Sequence, residues 1–207
     1  MKGKENMKNI TQNTYNYLWE RLSYQGKAGF TGGENRKYSG ETVESCIDVI
    51  INMFKELYPS LNIEIRGDSD KIKVYGKNGA FTEESVDRHI YINGKFALAI
   101  ECKTYLDKCY LQRAADDFRL IKKGTKNSIQ TWVVSLENAI SDMAYNFFMY
   151  EDDNTYINEC FFLSDGKRAS SRPIYKNNNF ETRLNINKIQ YMIEKFENFF
   201  NQYVENL

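Results

Sequence analysis

The spacing of apolar positions changes period several times along the chain, and each change marks an element. Between Glu41 and Tyr58, Val43, Cys46, Ile47, Ile50, Ile51, Phe54 and Leu57 recur at helical intervals, and Pro59 lies just past the end. This spacing predicts an amphipathic core helix, with Glu44 on the flank of its apolar stripe. Upstream, "ITQNTYNYLWERLSY" carries Tyr15, Leu18, Trp19 and Leu22 at helical spacing, which predicts a shorter helix. The intervening "QGKAGFTGGENRKYSG" is rich in glycine and carries Lys27, Arg36 and Lys37, so a basic surface loop is expected over about residues 25–40.

Further on, "LNIEIRG" and "KIKVYG" alternate as strands do around "DSD", which predicts a hairpin. Two more strands follow in "SVDRHIYINGKFALAIECKTYL". The helix "DKCYLQRAADDFRLIKK" comes next, with Leu111, Ala114, Ala115, Phe118 and Ile121 on one face and Arg113, Arg119, Lys122 and Lys123 elsewhere. "SIQTWVVSL" and "INECFFLSD" read as buried strands separated by a helical "ENAISDMAYNFFMYED". "DGKRASSRPIYKNNN" is a polar basic loop, and a long amphipathic helix closes the chain at about residues 186–205. Alternating strands and helices over 207 residues predict a single α/β domain covering 1–207.

Composition narrows the function. With 28 basic and 28 acidic residues, the chain is no polycation, so any contact with DNA must use a local patch. No apolar run of about 18 residues suggests a membrane span. "MKGKENMKNITQN" is basic without the apolar segment of a signal peptide, and a cytoplasmic location is expected. Cys46, Cys102, Cys109 and Cys160 are then reduced thiols. Their spacing matches no zinc motif, and His89 is the sole histidine, which argues against a Cys/His metal cluster.

The chemistry gathers where the apolar "FALAI" runs into Glu101, Cys102 and Lys103, because buried charge is costly unless paired or bound to a metal. A two-residue Asn93-Gly94 turn would mix polar and apolar side chains on each face. A three-residue loop, Ile92-Asn93-Gly94, with Gly94 left-handed in a G1 bulge, pairs Tyr91 with Lys95 and sorts them. Val86, Ile90, Ile92, Phe96, Leu98, Ile100 and Cys102 then form an apolar face on which Arg88 is the exception. Asp87, His89, Tyr91, Lys95, Ala97, Ala99, Glu101 and Lys103 share the other, with Asp87 opposite Ala99 and diagonal to Glu101. Two carboxylates in one pocket repel each other, and a divalent cation relieves the repulsion. Mg²⁺ suits such a site because it takes few carboxylates and keeps waters for phosphate chemistry.

Asp87, thirteen intervening residues, then Glu101-Cys102-Lys103, with a hairpin between and a helix after, resembles the active-site motif of the PD-(D/E)XK nuclease superfamily. "IECKTYLDK" resembles the same segment in some type II restriction endonucleases. Val86 stands where the motif has proline. The resemblance implies a restriction-endonuclease-like fold, α/β with a mixed central β-sheet flanked by α-helices. It implies a Mg²⁺-dependent, sequence-specific double-stranded DNA endonuclease with Asp87, Glu101 and Lys103 catalytic. Glu44 resembles the additional helix glutamate of some members, and Gln112 the polar residue on the following helix. Asp87 and Glu101 are expected to hold the metal. Cys102, next to Glu101, is also expected among the metal positions, although its side chain is expected in the core.

Expected DNA contacts are Arg113, Arg119, Lys122, Lys167, Arg168, Arg172, Arg36 and Lys37, which supply donors for phosphate oxygens or base edges. A homodimer is expected, because two-fold symmetry is the simplest way to cut both strands of a palindrome. A cognate DNA methyltransferase would act in the same system without stable binding. The alternatives are a structure-specific or repair nuclease of the same superfamily, and a non-catalytic DNA-binding or assembly protein.

Overall fold

The computed structural model describes residues 2–126, 128–151, 156–165 and 183–205. Two long helices, α1 (Lys2–Lys27) and α2 (Gly32–Leu57), lead into a five-stranded sheet. Its strands are β1 (Ile63–Arg66), β4 (Arg88–Ile92), β5 (Lys95–Leu106), β6 (Gln130–Asn138) and β7 (Glu159–Phe162), side by side in that order. β1, β4 and β5 pair antiparallel, whereas β5, β6 and β7 pair parallel. The sheet is therefore mixed. The parallel pair β5 and β6 needs a crossover, which α3 (Lys108–Gly124) supplies. The short α4 (Asp142–Asn146) and a π-helical turn (Phe147–Glu151) lie between β6 and β7, and α5 (Ile186–Val204) follows β7. A two-stranded sheet of β2 (Ile72–Tyr75) and β3 (Phe81–Glu84) packs on α3. Among the described residues, no helix is long and apolar enough to cross a membrane.

The basic loop expected over about 25–40 is mostly helix. α1 runs through Lys27, Gly29 turns the chain at φ +65°, and α2 begins at Gly32. Polar residues within this glycine-rich stretch are used between the two helices: Gln25 Nε2 donates to Ser39 Oγ at 2.7 Å and to Asn35 Oδ1 at 3.2 Å. Thr31 caps α2 with Glu34, whose Oε2 accepts from both the backbone N–H and the hydroxyl of Thr31 at 2.8 Å. Arg36 and Lys37 thus lie on the first turns of a helix.

Strand pairing also departs from the sequence pattern. β1 pairs with β4, Ile63 opposite Ile92, and β2 pairs with β3. Asn93 fixes the first arrangement: its side-chain Oδ1 accepts from the Asn62 N–H, and its own N–H donates to the Asn62 carbonyl. The β4–β5 turn has two residues, Asn93 and Gly94 at φ +51° and +75°, with Ile92 opposite Lys95. Such turns match the twist of the flanking strands. The extra residue enters further along, because Tyr91 faces Phe96 while Ile90 faces Leu98. Phe96 consequently joins Tyr91, stacked at 5.2 Å, and Val86 packs with Ala99 rather than with Ile90. The bulge restores the parity that the two-residue turn would have broken.

The sheet separates two cores. On one side α1, α2 and α5 bury Leu18, Ile47, Ile50, Phe54, Ile100, Cys102, Trp132, Phe196, Phe199 and Phe200. Trp132 and Phe196 meet edge to face at 4.7 Å, a favourable aromatic geometry. On the other side α3 buries Leu111, Ala114, Phe118 and Ile121 against Ala99, Leu106 and Val133.

Candidate active site

β5 is longer than its partner. The ladder to β4 ends with Arg88 opposite Ile100, yet β5 continues to Leu106 beside β6. Extending the register by one residue sets Asp87 level with Glu101, rather than diagonal to it. Where the β4 backbone stops, the Asp87 side chain takes over: Cys102 N–H donates to Asp87 Oδ2 at 2.6 Å. A backbone donor that would otherwise lack a partner is satisfied, and the carboxylate is aimed along the face that carries Glu101 and Lys103. Lys103 Nζ donates to Glu101 Oε1 and lies 4.0 Å from Asp87 Oδ2. Their side chains keep 12% (Glu101), 21% (Lys103) and 25% (Asp87) of their exposure, so the group is largely buried but reachable.

Burial and then the charge of Asp87 push the Glu101 carboxyl up to about 7, against the pull of Lys103. Burial alone would lower the Lys103 ammonium, but the charge and hydrogen bond of Glu101, followed by Asp87, raise it above the usual lysine value. Lys103 is therefore a protonated charge partner in this arrangement, suited to orienting groups and offsetting negative charge. Asp117 of α3 adds to the negative field on Glu101, and its own carboxyl is raised by burial.

Cys102 needs correction as a metal position. Its thiol is buried in the aromatic-side core, and burial, then the nearby carboxylates, raise it well above the usual thiol range. The thiolate is the metal-binding form, so Cys102 contributes to the site through its backbone N–H. His89, on the same face as Asp87, is fully buried, with Nδ1 3.2 Å from the Gly67 carbonyl. Burial lowers its imidazole, which makes it a neutral structural residue.

Glu44 does approach the site, from α2 on the far face of the sheet. Burial raises its carboxyl first and Asp87 second. Its partner is one that sequence reading missed: Arg88 Nη1 donates to Glu44 Oε2 at 3.0 Å and to the Asp87 carbonyl at 2.7 Å. The rest of the guanidinium grips Asp48, with Nε to Oδ1 at 2.6 Å and Nη2 to Oδ2 at 2.8 Å. The signal was present, since Arg88 was the lone charge on an apolar face and Glu44 and Asp48 stand four residues apart on the helix that covers it.

The donor set at Asp87 and Glu101 fits a hard cation such as Mg²⁺. Two carboxylates converge, repulsion between them is only partly relieved by one lysine, and Mg²⁺ is bound by one or two carboxylates with waters completing its shell. Among the described residues, no cluster of three or more His, Cys, Asp or Glu is arranged to hold a metal, so the fit is to this two-carboxylate mode.

The described basic residues have separate partners. Arg113 lies a turn before Asp117 on α3 and acts on its charge. Arg119 lies 3.8 Å from Asp116 on another side of that helix. Lys122 Nζ donates to Asn158 Oδ1 at 3.0 Å and ties α3 to the start of β7. Lys37 is exposed near Glu41 at 3.9 Å, and Arg36 is exposed beside it. Lys167, Arg168 and Arg172 lie outside the described residues. Gln112 is exposed on α3, and Asp117 is the α3 carboxyl that senses the site.

No family model matches the chain. A stretch of 38 residues, 18% of this chain, is 50% identical to part of the type II restriction enzyme DdeI of Desulfomicrobium norvegicum. The match spans only 16% of that enzyme's length. Among solved structures, NucC of P. aeruginosa ATCC27853 in its cAAA-bound form is similar at 13% identity and a TM-score of 0.39, covering 64% of this chain and 63% of that one. The BbvCI A2B2 tetramer is similar at 16% identity and a TM-score of 0.32, covering 93% and 96%. The DdeI stretch supports the resemblance to the PD-(D/E)XK superfamily.

Proposed function

We propose that this chain is a Mg²⁺-dependent DNA endonuclease that hydrolyses phosphodiester bonds in a sequence-specific way, as type II restriction enzymes do. The observation that carries the reading is the convergence of Asp87, Glu101 and Lys103 on one face at the end of the β4–β5 ladder. The short match to a type II restriction enzyme points the same way.

In this reading Asp87 and Glu101 hold Mg²⁺ through carboxylate oxygens. When bound, the ion supplies a polarised phosphate and a water of lowered pKa. The chain's own groups do the remaining work. Cys102 N–H orients Asp87. Lys103, held protonated, offsets the charge that grows on the phosphate oxygens during attack. Glu44 acts behind Asp87 through Arg88. Arg113, Arg36, Lys37, Arg119, Lys167, Arg168 and Arg172 supply phosphate and base contacts. A homodimer cuts both strands, and a separately encoded methyltransferase protects host sites.

The test is incubation of the protein with unmethylated phage DNA and Mg²⁺ beside Glu101→Ala. Discrete fragments that need Mg²⁺ and vanish with the variant are the expected result. Intact duplex together with cleaved branched DNA would favour a structure-specific nuclease, and intact DNA of every form would overturn the proposal.

A further inference from the structure

An arginine next to a metal-binding aspartate is a hazard. Its guanidinium is always charged and pairs bidentately with carboxylates, so Arg88 is chemically able to neutralise Asp87 and compete with a cation there. The structure shows a different pairing. Asp48 takes the planar fork of Arg88 in two parallel hydrogen bonds, and Glu44 takes one proton of Nη1. The remaining bond from Nη1 goes to the backbone carbonyl of Asp87 at 2.7 Å, not to its carboxylate. The Asp87 carboxylate is left to the Cys102 N–H on the other side of the chain. Arg88 keeps 15% of its side-chain exposure and Asp48 35%, so water screens the pair only in part.

We infer that Asp48 is a positioning residue for the metal site: it occupies Arg88 so that the guanidinium anchors the Asp87 backbone and leaves the Asp87 carboxylate available to a cation. The inference rests on the metal-site reading above and extends it to a residue that touches neither metal nor substrate. Helix α2 is then more than core cover. Its inner face packs Ile47, Ile50 and Ile51, while Glu44 and Asp48, one turn apart on its flank, fix the start of β4. Losing Asp48 leaves the largely buried guanidinium with Glu44 and the Asp87 carbonyl as its remaining partners, and frees Nε and Nη2 to seek another carboxylate.

The test is the Mn²⁺ binding isotherm of the full chain without DNA, for the wild type, Asp48→Asn, Asp48→Ala and Asp48→Glu, with the unfolding midpoint of each recorded alongside. The expected result is that Asp48→Asn weakens Mn²⁺ by roughly tenfold or more, the usual scale for residues behind a metal ligand, and that Asp48→Glu restores most of the affinity. A lowered midpoint with unchanged Mn²⁺ affinity in Asp48→Asn would overturn the inference and leave Asp48 a purely structural ion pair. If Asp48→Asn does not fold, failure of the folded Asp48→Glu to bind Mn²⁺ better than a folded Asp48→Ala would overturn it equally. A wild type that binds no Mn²⁺ removes the metal-site reading first, and this inference with it.

Discussion

The two faces of β5 are built from consecutive residues and do opposite things. Leu98, Ile100 and Cys102 point towards α1, α2 and α5, where large apolar side chains close over them. Ala99, Glu101 and Lys103 point the other way, where the cover begins with the small Ala99 and ends in charge. On the first face every side chain finds a neighbour of matching chemistry. On the second, two carboxylates are brought together with one ammonium between them, an arrangement that lowers stability until something positive arrives. The contrast shows how a strand can be anchored by one face and perform chemistry on the other, with a one-residue alternation as the only boundary.

Removing charge from the second face should hit activity hardest. Glu101→Ala is expected to reduce Mg²⁺-dependent cleavage by about 10³-fold or more, roughly 4 kcal/mol of transition-state stabilisation, with unfolding by denaturant showing a fold that is no less stable. A variant that cuts at the wild-type rate would break the contrast. Truncation on the first face should do the reverse: Phe196→Ala, which strips a ring from the Trp132, Phe54 and Phe200 cluster, should cost about 3–5 kcal/mol of stability in denaturant titration.

Next in size is a pH effect. Glu101 has its carboxyl raised by burial and by Asp87, so the native state binds a proton that the unfolded chain releases near the ordinary glutamate value. Stability is fullest below that value and falls as pH rises towards about 7. Glu101→Gln should flatten this part of a stability-against-pH curve, and an unchanged slope would show that the carboxyl is not strained. Cys102→Ala sharpens the comparison by changing the residue beside Glu101 on the opposite face. It should cost about 1 kcal/mol of stability and leave the Mg²⁺ requirement unaltered. Smallest of all is Lys37→Ala, whose exposed pairing with Glu41 at 3.9 Å should be worth no more than about 0.5 kcal/mol by thermal unfolding.

The fold class was legible because strand and helix periods are local properties, and the α/β alternation survives in the mixed sheet. Pairing was not. Nothing in "LNIEIRG" says that its partner is β4 and not the adjacent "KIKVYG"; that choice is made by Asn93 reaching back to Asn62 across the sheet edge. The stretch over about residues 25–40 looked like a loop because it is rich in glycine, whereas Gln25, Asn35 and Ser39 bond one another between two helices. In the site, the shared face of Asp87, Glu101 and Lys103 followed from alternation and from the need for one extra residue in the hairpin, even though the bulge falls beyond the turn and not within it. Arg88 stood out in the sequence as the lone charge on an apolar face, but its pairing with Asp48 depends on α2 lying across the start of β4, a tertiary fact that no window of sequence contains.

The most direct test of the central claim is a crystal of the full chain soaked in Mn²⁺ and measured for anomalous scattering. A peak bonded to carboxylate oxygens of both Asp87 and Glu101 is expected, with the Lys103 ammonium displaced from its contact with Glu101. Well-ordered carboxylates with Lys103 still bridging them, and no peak between them at saturating Mn²⁺, would contradict it.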